Sequence, residues 1–231
     1  MQPNEDPSCY ASVAQRSLLV RVADHPLICE HFFLTGGTAL SAFYLHHRTS
    51  EDLDLFALRP VDLSEISFWI RTVWQSNHAI VRATTHFLSM LIENVRVDIV
   101  IDPLSEEGGR ERVRLGEASL MIDSLSNIGA NKLCTLVSRT EPKDFVDFYF
   151  LLREAPQLTI ESLLEAARKR EALFDDPPTA AYQLEEGLRF LRDHTALIPE
   201  LAKPLGHQEM FDFYEALAKN LYQKGGNFEQ R

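Results

Sequence analysis

Between Leu34 and Phe56 the chain reads LTGGTALSAFYLHHRTSEDLDLF, and no other stretch limits the fold so tightly. Asp52 and Asp54 alternate with Leu53 and Leu55. That period of two predicts a short strand with both carboxylates on one face and both leucines on the other. Two carboxylates so placed stand roughly 6–7 Å apart along the strand. The spacing suits one or two hard divalent cations, Mg²⁺ or Mn²⁺. Ahead of them, the apolar Phe32-Phe33-Leu34 leads into Gly36-Gly37-Thr38 and then into Ala39, Leu40, Phe43 and Tyr44 at helical spacing. This predicts a strand–turn–helix whose first backbone N–H groups could cradle phosphates. A phosphate cradle beside a metal-binding carboxylate pair is the equipment of phosphoryl or nucleotidyl transfer.

Gly36, Gly37, Thr38, Ala39 and Leu40, followed by His47, Arg48, Ser50, Asp52, Leu53, Asp54, Leu55 and Phe56, resemble the signature of the polymerase-β-like nucleotidyltransferases. Within that superfamily the chain is most similar to the AbiEii/AbiGii toxin family. A second block, NKLCTLVSRTEPKDFVDF, matches the same family through Lys132, Arg139, Lys143, Asp144 and Asp147. The resemblance implies a metal-dependent enzyme that moves a nucleoside monophosphate from an NTP to an acceptor hydroxyl. Gly36, Gly37 and Thr38 would hold the triphosphate, Asp52 and Asp54 the Mg²⁺, and Lys132 the nucleotide. Arg139, Asp144 and Asp147 would face the same site. The implied setting is the toxin half of a toxin–antitoxin or abortive-infection system, with RNA (tRNA among them) as acceptor and a separate antitoxin as partner. Two other functions fit the same residues: transfer to a small molecule, as in antibiotic-modifying relatives, and nucleotide binding without turnover. Arg48 and Ser50 either position the Asp-x-Asp strand or contact substrate.

Sites of this superfamily draw a third carboxylate, also a metal ligand, from a neighbouring strand. In VRVDIVID, Val95, Val97, Ile99 and Ile101 share one face, so Asp98 and Asp102 share the other. Asp102 directly precedes Pro103 at the expected strand end, whereas Asp98 is mid-strand and could register beside Asp54. Asp98 is therefore the expected third carboxylate.

The second block also has a reading of its own. Lys132 and Arg139 are two helical turns apart, on one face over about 10 Å. Two cations there could hold phosphates; equally, they could tie two helices together. Asp144 and Asp147, at i and i+3, lie on one side of the next helix, and Lys143 and Asp147 are spaced as an i, i+4 pair. Thr140 is the expected cap of that helix, with Pro142 in its first turn. His46-His47 reads as a structural helix end, because adjacent helical residues diverge and no cysteine or third histidine stands at zinc spacing.

The remainder sets the frame. A 231-residue chain with 45% hydrophobic and 25% charged residues has ample core. A net charge of −11 argues against bulk electrostatic coating of nucleic acid, although Arg110, Arg112 and Arg114 fall at period two on one strand face. The start, MQPNEDPS, has no leader signature, and no apolar run reaches membrane length, so a cytoplasmic protein without membrane contact is expected. A helix is expected from Ala11 to Ala23 with Ser8 as cap. Another is expected from Leu63 to Ser76, with Phe68, Trp69 and Val73 inward. Paired strands Phe87–Ile92 and Val95–Ile101 should turn at Glu93-Asn94. Leu120 to Asp123 could close the sheet, and beyond Ser124 the pattern is helical, with Leu184, Leu188, Phe190 and Leu191 as core candidates. Phe211, Phe213, Tyr214 and Leu217 form an aromatic cluster read as core. The expected class is α+β: a small mixed-sheet nucleotidyltransferase core over 1–123, then a helical part over 124–231.

Overall fold

The structure is a computed structural model in which residues 1–105 and 108–226 are described. The chain divides into two compact units, Met1–Ser124 and Leu125–Arg231.

The first unit is built on a mixed sheet of seven strands among the described residues: β1 Phe33–Thr35, β2 Leu53–Ala57, β3 His78–Ala83, β4 Phe87–Ile92, β5 Val95–Ile101, β6 Glu111–Leu115 and β7 Ala118–Ile122. Their order is β3-β4-β5-β2-β1-β7-β6. Strand β2 runs antiparallel to β1 and parallel to β5, and β1 is parallel to β7. Burial alternates along β2, β5 and β7. Leu34, Leu53, Leu55, Val97, Ile99, Leu120 and Ile122 form a fully buried apolar face, while the opposite face stays half-open. Strands β4 and β5 turn through Glu93 and Asn94, both at positive φ (52° and 67°), as a two-residue hairpin with the sheet's twist requires. The expected β4–β5 hairpin and the α+β class are both present.

Helices α1 Val13–Ala23, α2 Pro26–His31, α3 Gly36–Leu40 and α4 Leu63–Trp74 complete this unit. Three details depart from expectation. Helix α1 starts at Val13 and is capped by the residue directly before it, Ser12, which accepts from the Gln15 N–H, while Ser8 lies in an earlier 3₁₀ turn with its hydroxyl donating to Asp6. Helix α4 turns Leu63, Ile66, Ile70 and Trp74 inward, an i, i+3, i+7, i+11 stripe, and leaves Phe68 72% exposed. Strand β7 lies inside the sheet, and β6 is its edge.

The second unit is helical: α5 Leu125–Ser138, α6 Pro142–Glu154, α7 Ile160–Arg168, α8 Pro177–Asp193 and α9 His207–Gly226. Phe145, Phe148, Leu133, Leu163, Leu184, Leu188 and Tyr214 are buried at its centre. The Tyr214 hydroxyl donates to the Phe145 carbonyl, which satisfies the polar tip of a fully buried ring. Phe190 and Phe213 are only half-buried, Phe190 stacking on His194. Glu141, rather than Thr140, is the cap residue of α6, with Pro142 at its first position. No helix among the described residues is long and apolar enough to cross a membrane.

Candidate active site

Strand pairing brings the first unit's polar residues into one row across the half-open face. Thr35 of β1 pairs with Asp54 of β2, Asp54 with Asp98 of β5, and Asp98 with Ser89 of β4. Directly paired residues on neighbouring strands project from the same face, and strands lie about 4.8 Å apart. Asp54 and Asp98 are thus immediate neighbours, although 44 residues separate them in sequence. Asp102 falls just past the end of β5, where its carboxylate accepts from the Leu104 N–H (3.0 Å) and the Ser105 hydroxyl (2.7 Å). That turn-capping geometry commits Asp102 to the strand's exit.

Asp98 is oriented by two donors. The Ser89 hydroxyl donates to its Oδ1, and the Arg96 Nε lies 3.2 Å from both oxygens. Arg96 is itself bound more firmly to its proton than an ordinary guanidinium. Asp98 is the main cause, and Asp52 and Asp54 add to it through space. One half-exposed cation therefore feels all three aspartates. Sequence reasoning overlooked Ser89 and Arg96 as site residues. A signal for Ser89 existed, since a hairpin centred between Glu93 and Asn94 puts residues 89 and 98 opposite one another.

Asp52 precedes β2 rather than lying within it. Its carbonyl is gripped by the buried Thr38 hydroxyl and by the Gln15 side-chain amide at 3.5 Å. The backbone leading into Asp54 is thereby fixed, and the Thr38 hydroxyl is spent on that task. Gly36 follows β1 with φ +69°, and a Cβ there would come within 2.9 Å of the Asp54 Cγ. The first glycine is thus required twice, by its left-handed backbone and by the carboxylate lying against it. At Gly37 a Cβ would meet an Arg48 Nη at 2.8 Å and the Ser50 Oγ at 3.0 Å. Arg48 and Ser50, both buried, therefore pack on the glycine turn, and Arg48 also donates to the Thr49 carbonyl at 2.7 Å. Helix α3 runs into a π-helical turn, Ser41–Leu45, which ends at His46 with φ 50°. Such wide turns are rare within helices and recur at functional sites.

At the end of the same row, the buried Asp123 carboxylate accepts from the Thr35 hydroxyl (2.7 Å) and from the Arg110 Nε (3.0 Å). The Arg110 guanidinium lies 3.7 Å from the centre of the Phe33 ring. Of the three period-two arginines, Arg110 is drawn into this ion pair, while Arg112 and Arg114 stay exposed on the edge strand.

The second unit gathers the remaining predicted residues into a network of its own. Lys132 Nζ is 2.7 Å from Asp144 Oδ1 and 2.6 Å from Asp147 Oδ2, and Arg139 Nε is 2.9 Å from Asp144 Oδ2. The Lys132 side chain is 6% exposed and both carboxylates are fully buried, whereas Arg139 is 48% exposed. Burial alone would raise the Asp144 pKa, but Lys132 and Arg139 outweigh it and hold that carboxyl below the ordinary value. Lys143 reaches Glu141 at 3.3 Å, and Asp147 faces Lys132.

An Aquifex aeolicus protein, itself uncharacterized, is 28% identical over 137 residues, which is 55% of this chain and 60% of that protein's length. Among solved structures, JHP933 from Helicobacter pylori aligns over 98% of this chain and 97% of its own, with a TM-score of 0.51 and 17% identity. A second H. pylori chain aligns over 96% and 98%, with a TM-score of 0.52 and 16% identity. At such identities the likeness is one of fold. The sequence profile described as nucleotidyl transferase AbiEii toxin, type IV toxin–antitoxin system, matches residues 17–219, and the chain belongs to that family of nucleotidyl transferases.

Proposed function

We propose that the protein transfers a nucleoside monophosphate from an NTP to a hydroxyl of an RNA acceptor, tRNA in the first instance. In this reading it acts in the cytoplasm as the toxin of a toxin–antitoxin pair whose antitoxin is a separate protein. One observation carries the proposal: Asp54 and Asp98 are register partners on the half-open sheet face, with Asp52 fixed at the entry to the same strand. Asp54 and Asp98 on adjacent strands, with Asp52 just ahead of β2, would supply an all-oxygen donor set, which suits Mg²⁺ or Mn²⁺ and not a soft metal. Asp52, Asp54 and Asp98 would hold that cation. When bound, it neutralises triphosphate charge and makes the acceptor hydroxyl more acidic.

The chain's own residues supply the rest. Asp98, oriented by the Ser89 hydroxyl, takes the acceptor proton on a carboxylate oxygen. Arg96, paired with Asp98, offsets part of the negative charge that the three aspartates gather. The backbone of Gly36 and Gly37 approaches the triphosphate where no side chain intervenes. Arg48 and Ser50 hold that turn rigid from behind, and Thr38 locks it to Asp52. Within the helical unit, Arg139 offers its exposed guanidinium to a nucleotide phosphate, while Asp144, Asp147 and Lys132 set its position.

The test is transfer of label from each of the four α-labelled ribonucleotides in the presence of total RNA and Mg²⁺. Label should move to RNA, and Asp52→Asn or Asp54→Asn should lower the rate by several orders of magnitude. Both variants should stay folded, since two carboxylates repel when no cation lies between them. Full activity in either variant would refute the assignment. Label retained as bound nucleotide, with no transfer, would make the protein a binding module. Transfer only to small molecules would replace RNA as the acceptor.

A further inference from the structure

A second group of metal-ligating side chains lies away from the three aspartates. Asp6, Cys9 and His46 each present a ligand atom, and these atoms all lie within 4.8 Å of one another. Asp6 and Cys9 bracket a short 3₁₀ turn, Pro7–Cys9, with the Cys9 N–H donating to the Asp6 carbonyl at 3.2 Å. In a 3₁₀ turn, residues three apart eclipse, so their side chains project together. His46 enters from the end of the π-helical turn, where its left-handed backbone redirects the ring. Its Nδ1 is buried without a hydrogen-bond partner. Both side-chain hydrogen bonds of Asp6, from the Ser8 N–H and hydroxyl, use Oδ1.

The scaffold around this trio is fixed on both sides. The Asn4 and Asp6 N–H groups donate to the Phe43 and Ala42 carbonyls, each at 2.7 Å. Beyond the turn, the Ser50 N–H donates to the Cys9 carbonyl at 2.9 Å, and the Ala11 N–H to the Ser50 carbonyl at 3.2 Å. The segment before α1 is thus laced to both ends of the 41–50 stretch, and the trio lies between the two sets of bonds.

We propose that Asp6, Cys9 and His46 bind Zn²⁺. One thiolate, one imidazole and one carboxylate form a mixed, soft-leaning set that favours zinc over the Mg²⁺ suited to an all-carboxylate site. Three protein ligands leave the fourth tetrahedral position to water, which the half-buried His46 admits. On binding, the Cys9 thiol loses its proton to solvent and the sulfur–zinc bond forms, with no change in oxidation state. The ion would staple the segment before α1 to the loop that carries Arg48 and Ser50, a site separate in chemistry and residues from the aspartate row.

The full chain, stripped with chelator and titrated with Zn²⁺ alone, should bind one equivalent that excess Mg²⁺ fails to displace. Substitution with Co²⁺ should give the near-ultraviolet thiolate-to-cobalt band of a tetrahedral site. Cys9→Ser should abolish that band although Cys29 and Cys134 remain, and Asp6→Asn and His46→Asn should each weaken zinc binding at least about tenfold. Asparagine is chosen at position 46 because it tolerates left-handed backbone. Asp54→Asn should keep both the zinc and the cobalt band. The inference is overturned if the wild-type chain takes up no zinc, if the cobalt protein lacks the thiolate band, or if Cys9→Ser retains it. The cobalt spectrum of the wild-type chain decides the matter even if a variant fails to fold.

Discussion

Replacing Lys132 by Met removes one charge and keeps the stem. Its Nζ lies within 2.7 Å of two carboxylates that have no exposed surface. Taking away one partner of a buried ion pair typically costs about 3–5 kcal/mol, because the remaining charge is left undercompensated. For a chain of this length each kcal/mol lowers the melting temperature by roughly 2–4 °C, so a fall of roughly 6–20 °C is expected. The deficit should shrink as pH is lowered toward the carboxylate range, where the stranded carboxyls accept protons and the variant sheds its excess charge. Adding Asp147→Asn to Lys132→Met should recover more than about 1 kcal/mol, because the two residues are in direct contact. The assay is a thermal melt of the two single variants, the double variant and the wild type, with nucleotide titration calorimetry on each folded sample. A Lys132→Met protein that melts within about 2 °C of wild type yet has lost nucleotide affinity would refute this reasoning, since 2 °C corresponds to at most about 1 kcal/mol. Lys132 would then be a phosphate ligand rather than a tether.

Gly36→Ala should cost about 1–2 kcal/mol from its left-handed backbone alone. It should also push the Asp54 carboxylate aside, so transfer should fall further than the melt does; an active, fully stable variant would contradict the close packing. Gly37→Ala would press on the buried Arg48 Nη and Ser50 Oγ, so its melt should fall, though without the added cost of a left-handed backbone. Asp98→Asn should abolish transfer, whereas Asp102→Asn should mainly loosen the turn after β5, read as a small drop in melting temperature with activity retained. Ser89→Ala should slow transfer and shift its pH profile without altering nucleotide affinity. Asp144 has its pKa lowered in the fold, so its stabilising contribution is complete above the ordinary value of 3.8 and is lost as pH falls through the folded value. The stability gap between wild type and Asp144→Asn should therefore be flat at neutral pH and close below pH 3.8.

What could be read from the chain alone was whatever its local spacing encodes. The β4–β5 hairpin was legible because Glu93-Asn94 sits between two alternating runs, and one register then follows. The glycine turn was legible for the same reason, an apolar run on one side and helical spacing on the other. The inward face of α4 differs from the expected Phe68, Trp69 and Val73, since Leu63, Ile66, Ile70 and Trp74 form one stripe at the helical period and Phe68 lies off it. Ser8 and Ser12 are chemically equivalent caps, and the start of the helix at Val13 decides between them. The pairing of β1 with β7 and the Arg110–Asp123–Thr35 chain of contacts were beyond reach, because long-range partners leave no periodic trace. The Asp6–Cys9–His46 trio was hidden likewise, two of its members being far from the third along the chain.

The half-open face has a consequence for the order of events during synthesis. The ribosome delivers Gly36, Gly37, Asp52 and Asp54 early, but Asp98 lies four strands later in translation than Thr35, and β7, which flanks β1, comes later still. Closing these distant pairs is slow compared with forming local helices or hairpins. A nascent or truncated chain ending before Val95 would thus carry the recognisable motif and yet lack the strand that brings its third carboxylate alongside. The topology itself would act as a timer, withholding the complete aspartate row until most of the first unit has left the ribosome.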